Sequence, residues 1–185
     1  MSIHLKKITK VVIVFTVLVF PLVTYGQKMD KPVVDGFTHE VTTSTTQDIV
    51  AFASDGYLLG YFARKSGVYS LYLRIDLIPD SHSSYHVAKG NSVFLKLAND
   101  SLITLSTNKD AQANVEWHQD HYYRLPYWTA YIECTVQIAD VRKISQSDFT
   151  GFRIVSDSEN IDFGMKSEES NKLKKMASLI LFSNH

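Results

Sequence analysis

A single cysteine, Cys134, in a chain of 185 residues excludes an internal disulfide and any cluster of thiolates for a structural metal. Four prolines and eight glycines leave no stretch that reads as a low-complexity spacer. Charge of one sign is not in excess either, with 19 Lys+Arg against 19 Asp+Glu. A nucleic-acid binder needs a basic surplus to neutralise phosphates, so that class is excluded. No apolar run reaches the roughly 20 residues of a spanning helix. What the chain does have is 45% hydrophobic and 12% aromatic residues, enough to build a core and too much for a disordered segment.

The apolar residues are unevenly placed. Lys6, Lys7 and Lys10 precede a 13-residue stretch, Val11–Val23, interrupted only by Thr16 and Pro21, and small residues Thr24 and Gly26 follow. A positive start, a short apolar middle and a small-residue exit describe a secretory signal peptide over residues 1–26, cleaved near Gly26. Pro21 and the shortness of the run argue against a retained anchor, so no stable membrane anchor is expected after cleavage. Removal of 1–26 takes away three lysines and no acid, leaving 16 basic against 19 acidic residues, a mildly acidic chain destined for the periplasm or the exterior. Cys134 then travels to an oxidising compartment, where it is expected to be buried.

The body reads as one domain, residues 37–185, preceded by a linker at 27–36. Residues 68–77, VYSLYLRIDL, alternate with period two. Tyr69, Leu71, Leu73, Ile75 and Leu77 point one way, and Ser70, Tyr72, Arg74 and Asp76 the other, as in a strand with one buried face. Residues 129–138 repeat the pattern, with Ala130, Ile132, Cys134, Val136 and Ile138 inward and Thr129 outward. Shorter strands are expected over 37–43, 47–53, 57–64, 93–97, 102–106, 152–155 and 160–163. Asp55-Gly56, Ser66-Gly67 and Asn99-Asp100 supply turns between them. A short helix fits 140–147, ending near Gly151. A longer one fits 167–182, where Ser167 caps, Glu168 and Glu169 suit the positive end, and Leu173, Met176, Ala177 and Ile180 line one face. Short connections favour antiparallel pairing. The expected fold is mainly β, an antiparallel sandwich or partly open barrel with the C-terminal helix packed on the sheet.

No reaction announces itself. The chain has no Gly-rich phosphate loop, no Gly-x-Ser-x-Gly elbow and no His-Glu-x-x-His helix, so no catalytic residue and no cofactor is assigned. Two features stand out instead. The histidine pairs His82/His86 and His118/His121 could converge on a metal ion, which would make the chain a metal-binding protein or a metal-dependent hydrolase. Residues 117–131, WHQDHYYRLPYWTAY, hold six aromatics in fifteen positions, 40% against 12% overall. Aromatic faces stack on sugar rings or on the apolar anchors of another protein. Trp117, Tyr122, Tyr123, Arg124, Tyr127 and Trp128 are therefore the candidate binding residues, with carbohydrate or protein as partner. The competing explanation places the same rings in the core. The reading this favours is a non-catalytic binding or structural module with an aromatic patch.

Residues 89–105, KGNSVFLKLANDSLITL, and residues 147–154, SDFTGFRI, with the hairpin and Lys-rich helix that follow to residue 182, resemble small secreted bacterial β-rich proteins of unknown function. Asp100-Ser101 departs from the glycine usual in that turn, and the stretch 117–131 lies outside the resemblance. The resemblance implies a secreted sheet-rich domain ending in a helix, and it carries no catalytic residues.

Overall fold

The structure, a computed structural model, describes residues 27–120 and 123–183; the expected signal peptide at 1–26 lies outside them. In chain order the strands are β1 (Val33–Val34), β2 (Val41–Ser44), β3 (Asp48–Ala53), β4 (Gly56–Lys65) and β5 (Val68–Leu77). Then come β6 (His86–Val87), β7 (Ser92–Leu97), β8 (Leu102–Ser106), β9 (Ala111–Gln112), β10 (Asn114–Asp120) and β11 (Tyr123–Val136). Helix α1 (Ile138–Gln146), strands β12 (Phe149–Val155) and β13 (Asn160–Gly164), and helix α2 (Ser167–Phe182) complete the chain.

The alternation at 68–77 becomes β5 with the expected bounds, and Leu71, Leu73, Ile75 and Leu77 are buried on one face. Antiparallel pairing on both sides, with β4 in a hairpin and with the distant β11, makes β5 a central strand. The long sheet runs β10-β11-β5-β4-β3-β13-β12-β7-β8, all antiparallel. It curls until Thr107, just past β8, bridges Cys134 of β11, and Asn108 N–H donates to Glu133 O at 2.7 Å. One bridge draws the edges together without closing a barrel. The result is a mainly β, strongly curved antiparallel sheet with a C-terminal helix packed on it.

Helix α2 seals the inner face. Leu173, Met176, Ala177 and Ile180 are all buried, as spacing of i, i+3, i+4, i+7 requires of a helix with one apolar side. The cap differs from expectation. Lys166 holds the N-cap position and Ser167 is the first helical residue; the Lys166 N–H donates to the Glu169 carboxylate at 3.0 Å, satisfying a donor the helix leaves free. At the other end the Arg64 guanidinium donates to Ser183 O at 3.0 Å.

Several local expectations are corrected. Ile138 starts α1 and is exposed, because the chain leaves the sheet at Val136. Gly151 lies inside β12 and does not end α1. Phe37 sits in an exposed turn before β2, whose strand begins only at Val41. Gly56 is the first residue of β4, not a turn residue. A Cβ there would meet the Asp76 carbonyl oxygen at 2.2 Å, so close strand approach, not positive φ, calls for glycine. The segment 27–36, expected as a linker, lies against the sheet: Met29 bridges Thr45, Asp30 N–H donates to Ser44 O, and β1 pairs with β2.

Cys134 is fully buried, as the alternation placed it. Burial, followed by the neighbouring Glu133 charge, pushes its thiol up to about 12. The native chain is expected to resist a thiol-specific reagent at neutral pH and to react stoichiometrically once unfolded in urea. Mass spectrometry of the two labelled samples checks this.

Candidate functional site

Strand β11 is longer than its neighbour. Its residues Trp128–Val136 pair with β5, whereas Tyr123–Tyr127 run past the end of β5 and pair only with β10. Residues 116–120 and 123–127 thus form a two-stranded arm that projects beyond the main sheet. Among the described residues no strand pairs with the outer edge of β10.

Strand alternation gives the arm two different faces. On one, Val115 lies opposite Trp128, Trp117 opposite Pro126, and Gln119 opposite Arg124. Trp117 is 56% exposed and Val115 47% exposed. The Arg124 guanidinium sits 5.9 Å from the centre of the Trp117 ring, a cation–π contact at the surface. Trp128 has another role. It is half-buried, packs against the core, and its indole N–H donates to His82 O at 2.9 Å, tying the 78–87 loop to the root of the arm.

The other face is rooted in a buried polar network. Asp76 is completely buried, and Arg74 Nε lies 2.9 and 3.1 Å from its two oxygens. The Thr129 hydroxyl donates to Asp76 Oδ1 at 2.8 Å. That spends its only proton, so toward His118 Nε2, 3.1 Å away, Thr129 accepts and the ring donates. His118 Nδ1 then faces an Arg74 N–H at 3.4 Å, and the ring packs 5.5 Å from Tyr127. Tyr57 closes the cluster, edge-on to Tyr127 at 5.7 Å. Its phenol is pushed up to about 12, first by burial and then by the Asp76 charge. Burial, then the hydrogen bond to Glu116, also raises Tyr131. Thr129 and Asp76 were both expected on a solvent-facing side. His118 and Tyr127, with Tyr57, cover that side, so both are buried.

The histidine pairs do not converge among the described residues. His82 Nε2 lies 2.8 Å from Asp55 and Nδ1 3.0 Å from Glu159, so its two nitrogens face carboxylates of two different turns. His86 Nδ1 lies 2.7 Å from Asp157, with Asp110 at 3.7 Å on its other side. His118 is held by Thr129 and Arg74 as described. Among the described residues no group of three or more His, Cys, Asp or Glu side chains is placed to hold a metal ion. His121 and Tyr122 lie outside the described residues, as does the side chain of Tyr123.

Of the sequence-derived binding residues, the structure brings Trp117 and Arg124 together on the exposed face and places Tyr127 with the polar network. It adds Val115, which sequence reading missed, to the exposed face, while Leu125, 42% exposed, lies opposite His118 on the other face. The missed signal was the alternation of residues 114–120, NVEWHQD, itself a strand pattern. Fold and site together define a mainly β domain that carries a projecting arm with an aromatic face. No protein-family model matches the chain, and neither a curated protein nor a solved structure matches it. No helix among the described residues is long and apolar enough to cross a membrane.

Proposed function

We propose that this chain is a non-catalytic binding module, working after export from the cell, and that the β10–β11 arm is its recognition element for another protein. The observation that carries the proposal is Trp117, more than half exposed at the surface of an arm that extends past its supporting strand. A soluble domain gains nothing for its own core from an indole held there. Trp and Arg are the residues most enriched at the energetic centres of protein interfaces, and here they are stacked together. Val115 adds apolar area on the same face, and the edge of β10, which no strand among the described residues pairs, offers backbone groups to an extended partner. Arg124 covers one side of the Trp117 ring, which leaves less of the indole free for a stacked sugar than for a protein contact. Export is supported by the lysines and apolar run of residues 1–26.

Immobilised chain is expected to retain a specific protein from the extracellular and envelope fraction of its source cells. Trp117→Ala and Arg124→Ala should each weaken that retention by about 2 kcal/mol, roughly thirtyfold, without changing the thermal transition. Retention unchanged in both variants would refute the assignment to the arm.

A further inference from the structure

The far half of the sheet carries a trough on its outer face. Pairing register places Leu102, Lys96, Gly151, Gly164 and Phe52 in one row across β8, β7, β12, β13 and β3. Two glycines side by side leave a gap in that row, and the next row supplies Phe94, Arg153 and Asp162 along its side. The open groove measures about 560 Å³, within the range of small-molecule sites.

The two glycines have different causes. A Cβ on Gly151 would lie 2.5 Å from Phe163 O, so the backbone itself demands glycine where the β7–β12 register shifts. Gly164 has no such constraint. Its φ is not positive, and a Cβ there would meet nothing nearer than Phe52 O at 3.8 Å, an ordinary contact. A β-branched residue would suit this strand position better, since glycine weakens a strand and often marks close approach of a ligand. Open space is what Gly164 provides.

We propose that this trough is a binding site for a neutral sugar ring. Its floor and Phe94 and Leu102 present apolar surface to the C–H face of a pyranose. Its rim is electrically balanced. Arg153 is paired to Asp162 through bonds of 2.6 and 2.7 Å, and Lys96 to Asp100 at 2.8 Å. Each pair retains unspent donors on the base and unspent lone pairs on the acid. Vicinal hydroxyls, which both donate and accept, use such a rim fully. A carboxylate would meet as many acids as bases. The site is separate from the arm, and neither requires the other.

Amide NMR of the intact domain tests the proposal, with maltotetraose, cellotetraose and mannotetraose as sugar probes and benzoate as the anionic one. At least one tetraose is expected to shift Gly151, Gly164 and Phe94 at millimolar concentration and to leave Trp117 unmoved. Gly164→Val should fold with an unchanged or higher melting temperature and lose that response by about tenfold or more in affinity. Asp162→Asn should weaken it while the fold persists. No shift at these residues with any tetraose overturns the proposal. So does undiminished binding by Gly164→Val, and so does a response to benzoate alone.

Discussion

Asp76→Ala is expected to lower the unfolding free energy by about 3 kcal/mol, read as a shift of the urea midpoint at constant slope. The carboxylate is fully buried and has several partners. Two Arg74 contacts of 2.9 and 3.1 Å and the Thr129 hydroxyl at 2.8 Å converge on it. Its removal leaves the Arg74 guanidinium, itself largely covered, without a counter-charge, and frees the Thr129 proton. Losing one member of a buried pair costs much more than the pair itself contributes. Because Thr129 fixes His118, the effect should spread to the arm. Amide exchange at residues 116–120 is expected to accelerate more than at β7 or β8. Equal acceleration everywhere would show that the network stabilises the domain without rooting the arm.

Leu173→Ala should cost between about 2 and 5 kcal/mol by the same urea measurement. Leu173 is fully buried on the face α2 turns to the sheet, with Met176, Ala177 and Ile180 beside it. Truncation removes apolar contact and leaves a cavity that the curved sheet can only partly close. Since domains of this size are held by about 5–15 kcal/mol in total, either substitution consumes a large share of the margin. The arm is remote from α2, so Leu173→Ala should leave the affinity of the folded fraction for a partner unchanged.

These two sites differ in how far they could be read from the chain. The α2 face is local: four apolar residues at helical spacing identify it, and the helix has the bounds expected, with only its cap moved from Ser167 to Lys166. Strand β5 and the burial of Cys134 follow from period two in the same way. Asp76 and Thr129 do not, because alternation assigns a residue to a face without saying what covers that face. The cover comes from His118 on β10, 42 residues from Asp76, and from Tyr57 and Tyr127. The aromatic density of 117–131 was visible at once. Its division into an exposed Trp117 and a core-facing Trp128 depends on the β10–β11 register and on where β5 stops, and both are long-range facts. For the same reason the surroundings of His82 and His86 were not legible: their carboxylate neighbours Asp55, Asp110, Asp157 and Glu159 come from separate turns.

The central claim is that the arm is the surface another protein meets. Site-specific photo-crosslinking tests it most directly. A photoreactive side chain replaces Val115, on the Trp117 face of the arm, in one preparation, and exposed Lys89 in another. Both are illuminated in the extracellular and envelope fraction of the source cells. The account predicts a discrete protein adduct from position 115, absent from position 89 and lost when Trp117→Ala is added. Adducts of equal yield at both positions, or none at 115 while 89 reacts, would contradict it.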